Sequence, residues 1–380
     1  MLKKVSTIIF IVLFFLMIAV PLTATFFQYE EIAVEQNRPL APMFRICDRP
    51  GHFNPSFNLE FEDWINDHIG FRTLFVNQNG KMRYYLVGRF SIDRPMFFGP
   101  EGELNYASFE YIQDYQHRNL YSEEYLNKAA ESLQTLSDYA KEKGTQLYYY
   151  QCWDKPSIYP EYFPKTILQY GDKSKTDGIV QAFQEKTDVT VISPKEDLIK
   201  GKENYETYSV FGDPTHWTQR GAYLGYLKLM EEINRRNQNS FYVLKEDDYT
   251  ITTTDQGMYL YGSIHKEDML ERFELKEPKA KLTQDRITVG KEDSRTLFYT
   301  NDAADNDSRI VLIGDSYFYY YILDDIAESF HETIFLWGDH LEEYQEIIDG
   351  YAPDILIIEN AEREDRSGSL IQTAEKLNLH

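Results

Sequence analysis

The chain has 380 residues, a formal net charge of -23 at pH 7 and 15% aromatic content. This length is sufficient for one large hydrophobic core or two smaller ones. The acidic charge excludes a nucleic-acid-binding protein, because a phosphate backbone requires clustered Lys and Arg, and the sequence has no such cluster. Zinc-site motifs, P-loops and GxGxxG turns are also absent from the sequence, which therefore predicts no metal and no cofactor. Cys47 and Cys152 are the two cysteines, and whether they pair is left open.

The first 27 residues have the pattern of a membrane-targeting segment. Two lysines precede an apolar run over residues 8–22, which continues weakly to Phe27 and approaches the ~20 residues that span a bilayer. A cleaved signal peptide needs small residues at both positions before the cut, and the best site, after Ala24, has Leu22 in the outer position. By the positive-inside rule the lysines stay in the cytoplasm. We therefore predict an uncleaved signal-anchor over residues 1–27, with the rest of the chain outside the membrane.

The next segments are predicted to lead from the membrane to a folded domain. Residues 28–57 contain three prolines between Pro39 and Pro50 and are interpreted as a stalk. Residues 58–88 have apolar residues at helical spacing, with Gly70 as a break between two helices. A short strand and a glycine-rich turn are predicted over residues 91–106. The domain itself is predicted to cover residues 58–380.

The central and C-terminal parts of the chain alternate between helical and strand patterns. An amphipathic helix is predicted over residues 122–143, with Gly144 as its C-terminal cap. Residues 245–300 are predicted to form a β-rich insertion. Short apolar runs, separated largely by helical or mixed segments, predict a parallel sheet covered by helices on both faces, with strands at residues 146–153, 189–194, 309–314, 333–338 and 354–360. The predicted fold class is therefore α/β.

The stretch RIVLIGDSYF places a serine where a predicted parallel strand ends. Ser316 follows Gly314 and Asp315, and this edge of an open α/β sheet is where ligands bind. A nucleophile there is exposed, and its own backbone N–H can stabilise a developing oxyanion. A Gly-Asp-Ser sequence alone more often marks an ordinary turn.

The stretch FGDPTHWTQRGAY supplies what such a serine lacks. A serine hydroxyl needs a base to take its proton, and the base needs an acceptor on its other ring nitrogen to hold one tautomer. Asp213 and His216 have a D-x-x-H spacing just before Thr218, a predicted helix N-cap. Alone, the pair could simply cap the helix and cover the surface. Together with Ser316, it predicts a Ser-His-Asp triad.

Several motifs in this order resemble the AlgX/AlgJ-type alginate O-acetyltransferase family, whose SGNH-hydrolase-like members include the DHHW proteins. They are the strand ending in GDS, the DPTHWTQRGA stretch, the upstream FEDWINDHIGFR, the DKPSIYPEYFP segment and the C-terminal PDILIIENAERE. The resemblance covers roughly residues 59–363. It implies an SGNH-hydrolase-like domain with helices on both sides of its sheet, and it is nearer to the membrane-anchored AlgJ type than to AlgX.

Carried over to this sequence, the resemblance implies that Ser316 is the nucleophile, His216 the general base and Asp213 the orienting carboxylate. The Asp/His motif precedes the serine, as in the family and unlike ordinary SGNH esterases. The family usually has one residue between Asp and His. Here Pro214 and Thr215 intervene, which is the spacing of ordinary SGNH hydrolases.

Four further residues are predicted to bind substrate, each with packing as the alternative. Lys155 and Tyr159 lie in the segment that matches the family and are candidates for the wall of the cleft. Tyr320 follows the nucleophile and is a candidate helper of the oxyanion site, and Trp217 follows the base. Glu362 and Arg363 are interpreted as a structural pair.

The predicted function is that of a membrane-anchored extracytoplasmic O-acetyltransferase acting on a cell-envelope or secreted polysaccharide through an acyl-enzyme. The resemblance further implies a polytopic membrane acyltransferase that supplies the acetyl group. Two alternatives remain open from sequence: a carbohydrate acetyl esterase with the same triad, and a catalytically silent envelope scaffold.

Overall fold

The structure, a computed structural model, divides into two compact units that are described separately. One unit contains Met1–Pro95 and Tyr259–Lys266, and the other contains Met96–Met258 and Glu267–His380. The sequence prediction began the catalytic domain at residue 58, whereas the structure groups residues 58–95 with the N-terminal helix. The described residues are 2–25, 32–33, 38–87, 96–237, 241–260, 264–283, 289–291 and 293–378.

The first unit begins with an apolar helix, Leu2–Ala24. Its segment Val5–Ala24 has a mean hydropathy of 2.8 and is long and apolar enough to cross a membrane. The predicted end of the anchor at Phe27 lies outside the described residues. Among the described residues of this unit, the other elements are two helices, Phe57–His68 and Arg72–Val87, and three two-stranded pairs, Ile32–Ala33 with Arg38–Pro39, Cys47–Arg49 with His52–Phe53, and Tyr259–Leu260 with Ile264–His265.

The two helices predicted around Gly70 are confirmed. The first ends at His68, because the ψ of 129° at the following residue, Ile69, leaves the helical region, and Phe71 has a left-handed φ of 64°. The segment predicted as an irregular stalk differs from the structure, because Cys47–Phe53 contains a strand pair. Cys47 is exposed and Cys152 is buried in the other unit, and neither forms a disulfide.

The second unit contains the predicted α/β domain, whose elements are numbered here in chain order. A strand pair, β1 and β2, leads into alternating helices and strands. The strands are β1 Met96–Phe98, β2 Leu104–Tyr106, β3 Gln146–Cys152, β4 Thr190–Ile192, β5 Tyr249–Asp255, β6 Met269–Leu275, β7 Lys281–Leu282, β8 Leu297–Thr300, β9 Arg309–Gly314, β10 Glu332–Trp337 and β11 Ile355–Ala361. The helices are α1 Phe109–Gln116, α2 Glu123–Glu142, α3 Lys155–Ile158, α4 Lys175–Lys186, α5 Lys195–Gly201, α6 Gln219–Arg236, α7 Ser316–Tyr321, α8 Leu323–Ala327, α9 Tyr344–Tyr351 and α10 Ser367–Leu377.

Seven strands of the described residues form one sheet, in the order β7-β8-β10-β9-β11-β3-β4. The five strands from β10 to β4 are parallel, and they correspond to the five apolar runs predicted as strands. At one edge, β8 pairs antiparallel with β10, and β7 pairs antiparallel with β8. The sheet is therefore mixed, and the last part of the predicted insertion contributes to it. The earlier part forms the β5–β6 hairpin.

Both faces of the parallel strands are buried, as their continuous apolar sequences predict. In β9, Ile310 and Leu312 face a core that includes the buried face of α6, whereas Val311 and Ile313 face a core formed with α2, α4, α9 and α10. The predicted helix 122–143 is α2, with Ser122 as its N-cap and Gly144 in the left-handed conformation just after its end.

Two glycines in helices provide a matched test of packing. A Cβ at Gly221, in the first turn of α6, would overlap the Thr207 carbonyl oxygen and crowd Trp217. A Cβ at Gly178, in α4, would meet only Leu126 side-chain carbons, at 3.7 Å or more. We expect Gly221→Ala to lower the free energy of unfolding by about 1–3 kcal/mol. Gly178→Ala should raise it by about 0.4–1 kcal/mol, because alanine restricts the unfolded chain. Chemical denaturation of both variants would test this, and equal effects would contradict it.

Candidate active site

Ser316 lies at the carboxyl end of the central strand β9 and is the first residue of α7. Asp315 caps this short helix, since its side chain accepts a hydrogen bond from Tyr317 N at 3.0 Å. The buried Glu359 stabilises the turn, because its Oε2 accepts a hydrogen bond from Asp315 N at 2.5 Å. A Cβ on Gly314 would lie 2.7 Å from that same oxygen, so this close approach requires glycine.

The loop that carries the Asp/His motif is fixed by two buried polar side chains. Asp268 Oδ2 accepts hydrogen bonds from Phe211 N at 2.8 Å, from Gly212 N at 3.1 Å and from Ser209 Oγ at 2.5 Å. The same Ser209 oxygen accepts from Gly212 N at 2.6 Å and from Asp213 N at 3.1 Å. Consecutive backbone N–H groups are therefore satisfied inside the protein, which fixes where the loop projects its side chains.

The structure brings Ser316, His216 and Asp213 into one hydrogen-bonded chain. His216 Nε2 lies 2.8 Å from Ser316 Oγ, and His216 Nδ1 lies 2.8 Å from Asp213 Oδ2. The other carboxylate oxygen of Asp213 accepts from Thr215 N at 2.7 Å, Thr215 Oγ1 at 2.9 Å and His216 N at 2.9 Å. Burial would raise the pKa of Asp213, but the hydrogen bonds and charge of His216 outweigh it and hold that pKa well below its usual range.

Two tyrosines of α7 enclose the imidazole. The Tyr317 ring centroid lies 5.0 Å from that of His216, and the Tyr321 ring stacks on His216 at 5.7 Å with 30° between the planes. The Tyr317 hydroxyl joins the ends of three segments, because it lies 2.9 Å from the Trp153 carbonyl, the Thr215 carbonyl and Asp154 Oδ1.

An ion pair between the buried Asp154 and the partly buried Arg363 adjoins the other side of the base. Arg363 Nη1 donates to Asp154 Oδ1 at 2.5 Å, and Arg363 Nη2 lies 3.0 Å from His216 Nε2. Glu362 is also buried, and its Oε2 accepts from Asp154 N at 2.9 Å. Burial raises the pKa of Glu362 to about 8, and it raises the pKa of Asp154 even though Arg363 opposes this. The expected pairing of Glu362 with Arg363 is replaced by pairing of Arg363 with Asp154.

This arrangement contains the groups that acyl transfer needs. A hydroxyl, a base within hydrogen-bonding distance and a carboxylate on the far ring nitrogen can activate a nucleophile. The N–H of Ser316 has no intrahelical partner, because it is in the first turn of a helix. Elsewhere, Asp293, Asp339 and His340 lie close enough together to hold an ion, but Arg295 and Lys291 already pair with the two carboxylates.

Comparison with known families assigns the chain to a family. The family model of the SGNH hydrolase-like domain of the acetyltransferase AlgX matches residues 109–323, more than half of the chain. The chain belongs to this family of acetyltransferases. The match includes Asp213, His216 and Ser316. The α/β fold class and the family predicted from the sequence are thus confirmed.

Solved structures share the fold of this AlgX-family chain at low sequence identity. Bacillus cereus PatB1 aligns with a TM-score of 0.52 and 17% identity, over 73% of this chain and 98% of PatB1. PatB1 with a sulfonyl adduct aligns over the same shares with a TM-score of 0.54 and 19% identity. The O-acetyltransferase domain of Pseudomonas putida AlgJ covers 74% of this chain and 99% of that domain, with a TM-score of 0.48 and 13% identity. Comparison with curated proteins gave no match.

Three of the four predicted substrate-binding residues of this family member lie in the interior. Lys155 is fully buried, donates to the Leu104 carbonyl at 2.6 Å and has its pKa lowered by burial to about 8. Tyr159 is buried, with its hydroxyl 3.2 Å from Thr207 Oγ1. Trp217 is buried against the edge of Tyr317. These buried side chains support the loops around Ser316, His216 and Asp213, and we do not propose them as substrate-binding residues. Tyr320 is 67% exposed.

Asp154 and Arg363 are further polar residues beside the base, and the sequence motifs did not predict this position for either of them. Asp154 follows β3 and Arg363 follows β11, and β11 lies between β3 and β9 in the sheet. Carboxyl ends of parallel strands meet at one edge, so polar residues that follow these strands are brought close to Ser316. The polar residues at the ends of DILIIENAER and QLYYYQCWD therefore indicate this position beside Ser316, but only when the order of the strands in the sheet is known.

Proposed function

We propose that this acetyltransferase is membrane-anchored and extracytoplasmic, and that it transfers acetyl groups to a cell-envelope or secreted polysaccharide through an acyl-enzyme on Ser316. The observation that carries this proposal is the chain of two 2.8 Å contacts from Asp213 through His216 to Ser316. Membership of the AlgX family supports acetyl as the transferred group and a polysaccharide as its acceptor.

The first half-reaction loads the serine. His216 Nε2 takes the proton of Ser316 as Oγ attacks the carbonyl carbon of the acetyl donor, and Asp213 stabilises the imidazolium that forms. The negative charge that develops on the carbonyl oxygen is met by the Ser316 N–H and by the guanidinium of Arg363, which lies beside His216 Nε2. The leaving group then takes the proton from His216, and Ser316 remains as the acetyl ester.

The second half-reaction delivers the group. A sugar hydroxyl gives its proton to His216 Nε2 and attacks the ester carbonyl, and Ser316 Oγ leaves and regains a proton from His216. The same chemistry with water would be hydrolysis. Transfer therefore depends on a bound acceptor that reaches the ester before water does.

The donor is proposed to come from a polytopic membrane acyltransferase. The helix with the segment Val5–Ala24 would hold the chain at the membrane, and the lysines before it would keep its N-terminus in the cytoplasm. The active site would then be on the outer side, where a membrane protein must pass the acetyl group across. Co-purification with such a protein from the native membrane would support this part of the proposal.

Intact-mass measurement on the full-length protein in detergent tests the acyl-enzyme. With a chromogenic acetyl ester, we expect one acetyl adduct on the wild type and none on Ser316→Ala. Ser308→Ala, just before the amino end of β9, is the matched control and should form the adduct normally. Because PatB1 has been solved with a sulfonyl adduct, a sulfonyl fluoride is a second probe for the same serine.

Adding an oligosaccharide to the acetylated protein then distinguishes the functions. Appearance of acetylated sugar with loss of the adduct supports transfer. Acetate alone would indicate an esterase. A Ser316→Ala protein that is labelled as well as the wild type would contradict the assignment of the nucleophile.

A further inference from the structure

A cavity of about 340 Å³ lies beside the proposed triad and shares a wall with it. That wall is Tyr321, whose ring lines the cavity and also stacks on His216. Tyr320, the preceding residue, lines the cavity as well and is 67% exposed. The volume falls in the range of small-molecule sites, about 300–1,000 Å³. A group bound there would be separated from His216 by the ring of Tyr321.

The cavity is rich in aromatic side chains that carry hydroxyl groups. An exposed ring of this kind offers an apolar face to the C–H face of a pyranose and a polar tip to its hydroxyls. Tyr223 and Tyr249 are buried, so Tyr320 is the tyrosine that can present such a face. The lining aromatic residues are Tyr223, Tyr249, Phe273, Tyr320 and Tyr321.

The charges that line the cavity are of one sign. Asp324 contributes an exposed carboxylate, and Glu274 contributes a second one, which pairs with Arg272 at 3.1 Å. Burial raises the pKa of the third acid, Asp325, to about 7. No Lys or Arg is among the described residues that line the cavity. Carboxylates accept hydrogen bonds from sugar hydroxyls, but they repel an acidic sugar. The guanidinium of Arg363 does not offset this, because Arg363 is not among the residues that line the cavity.

We propose that this cavity binds an uncharged pyranose residue of the acceptor polysaccharide and rejects uronic acids. The proposal rests on the proposed transfer to a polysaccharide, and it narrows the acceptor to glycans without carboxylates near the modified hydroxyl. Tyr320 supplies an exposed stacking face, and the exposed carboxylate of Asp324 supplies the selection against negative charge.

Equilibrium binding to full-length Ser316→Ala protein tests the cavity without any chemistry. The probes are an uncharged N-acetylglucosamine pentamer and a galacturonate pentamer, in a detergent without a sugar headgroup, because a maltoside would compete. We expect the uncharged pentamer to bind at least about tenfold more tightly than the uronate. Adding Tyr320→Ala should weaken it by about tenfold, whereas Tyr170→Ala, an exposed tyrosine outside the cavity, should not. Asp324→Lys should improve uronate binding.

The outcomes separate this inference from the proposed function. Equal or tighter binding of the uronate, or unchanged binding in Tyr320→Ala, would overturn the acceptor class. The acetyl adduct on wild-type Ser316 is measured independently. If the adduct is absent but selective binding persists, the acyl-enzyme is wrong and the cavity assignment stands. If the adduct forms but neither pentamer binds, the cavity assignment fails and the acyl-enzyme stands.

Discussion

Replacing Asp213 with asparagine is expected to lower the rate of acetyl transfer by about 10⁴-fold while the fold stays intact. The reason lies in the three donors around Asp213 Oδ1, which are Thr215 N, Thr215 Oγ1 and His216 N. The backbone N–H groups can only donate, so the side-chain oxygen of asparagine must occupy this position. Its NH₂ group then faces His216 Nδ1, at the place where Oδ2 lies 2.8 Å away.

That orientation reverses the tautomer of the base. An amide that donates to Nδ1 leaves the imidazole proton on Nε2, and a protonated Nε2 cannot take the proton of Ser316. Single-turnover acetylation, followed by intact mass, measures the effect directly. Asp302→Asn, an exposed carboxylate in the loop before β9, is the control and should react at the wild-type rate. Activity of Asp213→Asn within tenfold of wild type would mean that another group, such as Thr215 Oγ1 at 3.1 Å from Nδ1, orients the histidine.

The sheet could be predicted from the sequence because its central strands are buried on both faces. Strands β9 and β11 are nearly uninterrupted apolar runs, and that pattern has few other interpretations when helices alternate with it. The edge strand β7 has only two residues, both exposed, and β8 is partly buried, so neither has such a signal. Their antiparallel pairing with β10 depends on tertiary contacts that no local pattern specifies.

The close approach of Asp213, His216 and Ser316 was predictable for a different reason. Ser316 follows a strand that must end at the ligand-binding edge, and the D-x-x-H spacing puts acceptor and base on one loop. The interior positions of Lys155, Tyr159 and Trp217 were not predictable in this way, because whether a long amphipathic side chain faces a cleft or a core depends on neighbours distant in sequence. Lys155 shows this most clearly, since its partner is the carbonyl of Leu104.

Removing Arg363 is expected to reduce both stability and activity, and the two effects can be separated. Arg363→Ala leaves Asp154 buried without its counter-charge, beside the buried Glu362. Breaking a buried pair from one side costs about 3–5 kcal/mol, whereas removing both charges is often nearly neutral. We therefore expect the Asp154→Asn/Arg363→Met double variant to recover most of the free energy of unfolding lost in Arg363→Ala, as measured by chemical denaturation.

Activity should not recover with stability. In the proposed mechanism the guanidinium beside His216 Nε2 stabilises the oxyanion, and loss of one such donor costs about 10²–10³-fold in rate. The stable double variant should therefore acetylate Ser316 about 10²–10³-fold more slowly than wild type in single-turnover measurements. If the double variant instead acetylates at the wild-type rate, Arg363 acts only by neutralising Asp154. The oxyanion would then depend on the Ser316 N–H and on donors other than this guanidinium.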